Sequence, residues 1–223
     1  MLKYAKALIL GDIHGSLKYL SHIRKILNSY EYVFVLGDLS FDRNYRFFIR
    51  IINELFSSLK NTVFIVRGEN DPVVFLDEIR EGIIFEKTYI NNNLGVIMIP
   101  PLISYDLKIP LETEIAKLEH NICNVYNRVK TSILVTHIPP HGLKIDYDPV
   151  RGHMGSYALR RIIEKCQPTL TLCAHVHEGR NIVKHGKTII VNPGPLRRGF
   201  YGELYMKIID EEFELFSVVL NRF

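Results

Sequence analysis

The 223-residue chain is poor in the features that mark several common classes of protein. Its three cysteines, Cys123, Cys166 and Cys173, are odd in number and form no Cys-x-x-Cys pair. Neither a disulfide framework nor a zinc knuckle is suggested, and a reducing cytosol is the expected compartment. No apolar run approaches the roughly 18 residues of a membrane span. Lys3 and Lys6 precede an apolar run that reaches Asp12 within a few residues, too short for the core of a secretion signal. The expectation is a soluble, cytoplasmic protein. Basic tracts are missing too: Lys and Arg are scattered and the net charge is only +4, which suits an anionic substrate but demands no duplex-binding surface. There is no internal repeat, low-complexity stretch or linker. One domain over residues 1–223 is the simplest organisation for a chain of this length.

What is present is a set of short apolar runs that end on polar residues. Ala7-Leu8-Ile9-Leu10 reads as a buried parallel strand and delivers Gly11-Asp12-Ile13-His14-Gly15. Leu17, Leu20, Ile23 and Leu27 then mark a helix with Ser16 as its cap, so Asp12 and His14 sit on a strand-to-helix turn. They flank Ile13, so both can face a crevice while Ile13 packs beneath. Tyr32 to Leu36 is a second strand, stopping at Gly37-Asp38, and Phe48, Ile51, Ile52, Leu55 and Leu59 a second helix. Thr62 to Val66 is a third strand, ending at Arg67-Gly68-Glu69-Asn70-Asp71-Pro72. Three strand-turn-helix units imply right-handed crossovers, a parallel sheet, and turns that all open on one edge.

Beyond Ile83 the pattern changes. Asn91-Asn92-Asn93 separates Thr88–Ile90 from Gly95–Ile99, as in an antiparallel hairpin. Ile115, Leu118, Ile122, Val125 and Val129 define a helix, and Ser132 to Thr136 a strand ending on His137. The segment from Ile138 to Gly155, rich in Pro, Gly, Asp and His, is expected to overhang a site. A short helix starts near Ser156, and Thr169 to Cys173 is a strand ending on Ala174-His175-Val176-His177. The runs at 182–184, 188–191, 204–209 and 213–219 read as antiparallel strands. Two packed mixed sheets with helices outside are the expected α/β architecture.

The strand ends collect Asp12, His14, Asp38, Glu69, Asn70, His137, His175 and His177. Carboxylates and imidazoles without thiolates suit zinc, manganese or iron, whereas calcium and magnesium prefer oxygen alone. The number exceeds what one ion can use, so two ions sharing a carboxylate, with Asp38 as the bridge, is the economical reading. Each residue alone has a plainer explanation: a helix cap, a satisfied loop histidine, two faces of an edge strand. Five independent strand ends terminating in ligand-type residues make that explanation fail collectively.

Gly11-Asp12-Ile13-His14, Gly37-Asp38, the Gly68 to Asp71 turn, Thr136-His137 and Ala174-His175-Val176-His177 resemble the five ordered motifs of the calcineurin-like metallophosphoesterases. Thr136-His137-Ile138-Pro139-Pro140-His141-Gly142 and Val191-Asn192-Pro193-Gly194-Pro195 are similar, more narrowly, to the Icc-related predicted phosphoesterases. The resemblance implies a four-layer α/β/β/α sandwich with a dinuclear site at the sheet edges. Asp12, His14 and His177 would hold one divalent transition-metal ion (Mn, Zn or Fe), His137 and His175 the other, and Asp38 would bridge.

The family's Gly-Asn-His-Asp/Glu motif uses its Asn as a ligand to the second metal and its His to assist the leaving group. Here the order is Gly68-Glu69-Asn70-Asp71. An ungapped match makes Glu69 the ligand and puts Asn70 at the His position; a one-residue shift makes Asn70 the ligand. An amide cannot donate a proton as an imidazolium can, which leaves His141 or His153 of the overhanging segment for that role. Arg67, Arg151, Arg180, Arg197 and Arg198 lie near the site-facing loops, and Arg198 with His141 and Asn70 is expected to contact substrate.

The implied reaction is hydrolysis of a small phosphodiester or monoester, by in-line attack of a hydroxide shared between ions about 3.5 to 4 Å apart. The alternatives are a catalytically weak scaffold that binds protein partners, or a nuclease. Oligomeric state is not legible.

Overall fold

Along β1 (Leu2–Leu10), Ala5, Ala7 and Ile9 are buried in one apolar cluster while Leu8 and Leu10 are buried in another. This is the two-residue alternation of a strand covered on both faces. The computed structural model describes residues 2–41, 44–56, 61–72, 83–91, 93–104, 109–210 and 212–223. After β1 come α1 (Leu20–Leu27), β2 (Tyr32–Val35), α2 (Tyr45–Phe56), β3 (Thr62–Ile65), β4 (Ile83–Phe85), β5 (Tyr89–Asn91) and β6 (Leu94–Ile99). A two-residue ribbon, β7 (Ile103–Ser104) with β8 (Ile109–Pro110), leads into α3 (Glu112–Lys117), α4 (Glu119–Tyr126) and β9 (Thr131–Thr136). A second ribbon, β10 (Tyr147–Asp148) with β11 (Gly152–His153), precedes α5 (Tyr157–Cys166) and β12 (Leu170–Leu172). The chain closes with β13 (Asn181–His185), β14 (Thr188–Asn192), β15 (Phe200–Ile209) and β16 (Glu212–Arg222).

Two six-stranded mixed sheets result, ordered β16-β15-β1-β2-β3-β4 and β13-β14-β12-β9-β6-β5. In the first, β1 to β4 are parallel and β15 and β16 join antiparallel; in the second, β6, β9, β12 and β14 are parallel between antiparallel edges. Phe34, Phe64, Val96, Val135, Leu172 and Val191 meet in the core between the sheets. Leu20, Ile23 and Leu27 of α1 and Ile51, Ile52 and Leu55 of α2 cover the outer face of the first sheet. Ile115, Ile122, Leu159 and Ile162 of the remaining helices cover the second. The expected α/β/β/α layering is therefore present. No helix among the described residues is long and apolar enough to cross a membrane.

Several local expectations are corrected. Ser16 caps nothing: its N–H closes a turn onto the Ile13 carbonyl, 3.0 Å, and α1 starts only at Leu20. The helix expected through Val129 breaks at Leu118 into α3 and α4. β4 is an additional parallel strand, and β14, expected only as an antiparallel strand, also runs parallel to β12, Leu170 opposite Ile189. Leu59 and Asn92 lie outside the described residues. The cap of α5 does form, with Ser156 Oγ accepting from Leu159 N–H at 3.1 Å.

The cysteine reading is also corrected. Cys123 of α4 and Cys166 at the end of α5 form a disulfide, with Cα atoms 4.7 Å apart, leaving Cys173 as a buried free thiol. Both helices pack on the same face of the second sheet, which brings together cysteines 43 residues apart in sequence. The inference of a reducing compartment loses that support.

Candidate metal centre

The parallel strands of both sheets deliver their turns to one edge, and the backbone there is unusual. Asp12, His14, Asp38 and His175 adopt φ values of 51°, 45°, 53° and 69°. Non-glycine residues rarely occupy this left-handed region, and such strain concentrates where side chains must be aimed. Hydrogen bonds lock the turns to one another. Asp12 N–H donates to the Gly37 carbonyl at 3.1 Å, His14 N–H to Asp38 at 2.8 Å, and Ala174 N–H to His137 at 2.9 Å. Ile13 is fully buried beneath them.

Two three-residue groups result. In the first, His14 Nε2 lies 3.1 Å from His177 Nε2, and these atoms lie 3.9 and 3.7 Å from Asp12 Oδ1. In the second, Glu69 Oε2 lies 2.7 Å from His137 Nε2, and His175 Nδ1 is 3.0 Å from the Glu69 carboxylate. Within each group the ligand-type atoms lie within 4.8 Å of one another, and Asp12, Asp38 and His137 form a third such group. Asp38 stands between the first two, its Oδ2 3.6 Å from His14 Nε2 and 3.8 Å from His137 Nε2. His137 Nδ1 donates to the Leu36 carbonyl at 2.6 Å, which leaves Nε2 to face the cluster.

Burial and mutual proximity set the protonation of these groups. Burial would raise the Asp12 pKa, but the His177, His137 and His14 rings outweigh it and hold the carboxyl below its ordinary value. Burial is likewise overcome at Glu69 by His137 and His175, so its pKa is depressed. At Asp38 burial wins, with help from the Glu69 and Asp12 charges, and the pKa rises to about 6. Burial lowers His14 to about 4 against the pull of Asp12. His137 goes the other way: burial opposes its charge, but Asp38 and Glu69 raise its pKa well above the usual value.

Asp12 shows that the residues fit a metal. The side chain is completely buried, and neither carboxylate oxygen has a hydrogen-bond partner among the described residues. An unsatisfied buried carboxylate is costly, and a cation is the partner that the surrounding nitrogen and oxygen donors can share with it.

The model of the family described as calcineurin-like phosphoesterase matches residues 5–179, most of the chain and every turn of this cluster. The chain belongs to the calcineurin-like phosphoesterase family. It is 28% identical over 222 residues to an uncharacterized protein of Methanocaldococcus jannaschii, MJ1162, covering 97% of this chain and 100% of that one. Among solved structures it is similar to TT1561 of Thermus thermophilus, with a TM-score of 0.61, 18% identity and coverage of 96% and 99%. It is also similar to the calcineurin-like phosphoesterase YfkN of Bacillus subtilis, with a TM-score of 0.58, 15% identity and coverage of 99% and 90%. These structural likenesses concern the fold.

Against the phosphoesterase motifs, the fold brings together all seven residues anticipated as ligands. Asn70 joins them, its N–H donating to Asp38 Oδ1 at 2.9 Å and its Nδ2 to Oδ2 at 2.7 Å. His141 and His153 belong to a separate cluster. His153 Nδ1 is 2.8 Å from the buried Asp146, His141 stacks on Tyr157 with ring centroids 3.7 Å apart, and no contact among the described residues joins either ring to the seven. Their segment packs on the turn after His177, where Gly179 lies against the Ile145 carbonyl.

The arginines also sort themselves. Arg198 pairs with Glu178 at 3.1 Å, Arg67 with Glu86 at 2.7 Å, Arg151 with Asp148 at 3.1 Å, and Arg180 lies over the Phe200 ring. Arg197 instead reaches His177 Nδ1 at 3.1 Å. Sequence reasoning had no signal to separate it from the other four. It also missed two supports. Asp71 accepts from Ser40 N–H and Gly68 N–H, both at 2.9 Å, and holds the Glu69 turn. Asn192 donates to the Val176 carbonyl at 2.8 Å and accepts from Gly194 N–H at 2.9 Å, holding the turn between His175 and His177. The Asn-Pro-Gly-Pro run was the available signal for the second.

Proposed function

We propose that the protein is a metal-dependent phosphoric ester hydrolase acting on a small phosphodiester or monoester. Two divalent transition-metal ions, Mn, Zn or Fe, would be held by Asp12, His14 and His177 and by Glu69, His137 and His175, with Asp38 between them. The observation that carries this reading is the position of Asp38 Oδ2 between the two groups, 3.6 and 3.8 Å from a ring nitrogen of each. When bound, two such ions lower the pKa of a shared water and polarise phosphoryl oxygens.

The chain's own residues supply position and charge. Glu69, aimed at His137 and His175, supports the ungapped reading in which it replaces the family's neutral amide ligand. It brings extra negative charge to the second group, which favours tight metal retention and softens the Lewis acidity of the ion. Asn70 then stands where the family has its proton-donating His. Its amide donates hydrogen bonds and does not titrate near neutrality, so it can orient Asp38 and a phosphoryl oxygen but cannot protonate a departing alkoxide. Esters with good leaving groups are therefore favoured. The imidazoles anticipated for that proton, His153 with Nδ1 2.8 Å from Asp146 and His141 stacked on Tyr157, make no contact with the seven ligand-type residues among the described residues.

Metal analysis combined with hydrolysis of p-nitrophenyl mono- and diesters tests the proposal. Two ions per chain and chelator-sensitive hydrolysis are expected, with Asp38→Ala losing both activity and at least one ion. Reconstituted protein that holds no metal, or holds two ions yet hydrolyses neither ester, would move the chain to the non-catalytic scaffold class.

A further inference from the structure

We propose that the cleft beside His14 binds a flat aromatic ring carried on the ester oxygen, so that the esters this chain prefers are aryl phosphates. The proposal deepens the hydrolase reading above and rests on it. Among the described residues the walls of the cleft are Gly15, Phe41, Asn44 and Phe47, around a volume of about 360 Å³, in the range of small-molecule sites. A single exposed phenylalanine is ordinary on a protein surface. Phe41, however, is half exposed with its ring centroid 5.4 Å from that of His14, one of the seven ligand-type residues. The cleft therefore borders the cluster.

The turns that hold the cluster also hold these walls. Ser40, completely buried, donates from N–H to Asp71 Oδ1 at 2.9 Å and from Oγ to the Asn70 carbonyl at 3.0 Å, which fixes the backbone just before Phe41. Gly15 N–H donates to the Leu39 carbonyl at 2.9 Å. Asn44 N–H donates to the Phe41 carbonyl at 3.0 Å, and Asn44 Oδ1 accepts from Phe47 N–H at 3.0 Å. Phe47 packs against the core between α2 and the first sheet. Gly15 forms the floor, where a Cβ would come within 3.0 Å of Phe41 Cδ2 and 3.1 Å of Phe47 Cε1. Little of this has to be ordered when a ligand arrives, which favours binding.

The chemistry of the walls selects the occupant. Among the described residues no charged side chain lines the cleft, so the phosphoryl group belongs at the ligand cluster and the cleft is left for the organic group. Two phenyl rings favour an aromatic occupant over an aliphatic one, because stacking adds to the burial of apolar area. With Phe41 in ring contact with His14, the occupant lies close to the phosphorus, as it does when the aromatic ring itself bears the ester oxygen. A phenoxide also departs with little need of the proton that Asn70 cannot give. The cleft and the leaving-group chemistry thus point to the same esters.

Steady-state kinetics of the metal-loaded full chain on phenyl phosphate and ethyl phosphate, with metal content measured alongside, tests this. Titration of the natural chain with phenol, followed by ¹H–¹³C NMR of the phenylalanine rings, adds a reading that needs no turnover. Phenol should shift the Phe41 and Phe47 signals saturably. Phe41→Ala should raise KM for phenyl phosphate about tenfold, the scale of one stacked aromatic pair, but KM for ethyl phosphate by less than about twofold, with bound metal unchanged. Phe41→Tyr, which keeps the ring, should restore the KM for phenyl phosphate. An equal change in KM for both esters, loss of metal in Phe41→Ala, or ring signals that adenosine shifts and phenol does not, overturns this proposal and leaves the hydrolase reading standing. A chain that takes up metal yet hydrolyses neither ester overturns the hydrolase reading and the ester preference with it, even where phenol still shifts both rings.

Discussion

Asp38 fills the space where Gly68 would carry a side chain. A Cβ built on Gly68 would lie 2.1 Å from Asp38 Oδ1 and 2.5 Å from Asp38 N, so the carboxylate between the two candidate metal groups depends on a hydrogen atom thirty residues away. Gly68→Ala should displace Asp38 and lower bound metal to one ion or fewer per chain while far-UV circular dichroism stays native. Gly11→Ala, whose Cβ would meet Ala174 Cβ at 3.0 Å, should do less damage. Full metal content in Gly68→Ala would show that Asp38 is not needed where it now stands.

Asn70→His should restore a proton donor at the departing oxygen. A positioned acid contributes about 10²- to 10⁴-fold when that oxygen leaves poorly, and far less for an activated aryl ester. The variant is expected to raise alkyl phosphate hydrolysis at least tenfold, with little change for p-nitrophenyl esters and unchanged metal content. A uniform effect on both substrates would count against the leaving-group reading, and loss of one metal would make Asn70 a ligand.

Asp148 gives a pH dependence outside the metal centre. Its Oδ1 accepts from Val150 and Arg151 N–H, both at 2.9 Å, and its Oδ2 from Arg151 Nη2 at 3.1 Å. The Arg151 N–H, the Arg151 side chain and the Val150 N–H hold its pKa at about 2, below the ordinary 3.8. Because the folded chain favours the ionised form, this support is complete above 3.8 and lost as pH falls through about 2. Hydrogen exchange should find the Val150 and Arg151 amides still protected near pH 4, relative to those of β9, and unprotected below about 2. Loss of protection already near pH 4 would contradict the assignment.

The Cys123–Cys166 link closes a segment of 43 residues, a cross-link expected to contribute about 2–4 kcal/mol. For a chain of this size, reduction or the Cys123→Ser/Cys166→Ser pair should lower Tm by roughly 5 to 15 °C. Thiol titration that finds three free cysteines in protein purified without reductant would remove the link altogether.

Much of the site was legible because its ligands follow buried parallel strands. Leu8 to Leu10, Val33 to Leu36 and Ile133 to Val135 are continuous apolar runs, and the polar residue that ends each run stands out. What required the structure were relationships between distant segments. Cys123 and Cys166 meet only because α4 and α5 share one face of a sheet. Nothing in residues 188–191 tells whether they pair with a hairpin partner or a parallel neighbour, and β14 does both. Ser16 looked like a cap because the left-handed turn at His14 and Gly15, which delays α1 by a turn, leaves no mark in side-chain chemistry. Five arginines read alike until partners were assigned, and four found them away from the seven ligands.

The left-handed backbone at Asp12, His14, Asp38 and His175 has an evolutionary consequence. Each such residue costs of order 1–3 kcal/mol, against a typical net stability of about 5–15 kcal/mol for a whole domain. Glycine would relieve that cost at every one of the four positions, and at each it would delete a candidate ligand. Selection for thermal stability alone would therefore erode the chemistry first, and relatives that kept the fold but lost the ligands would be expected to melt higher than those that retain them.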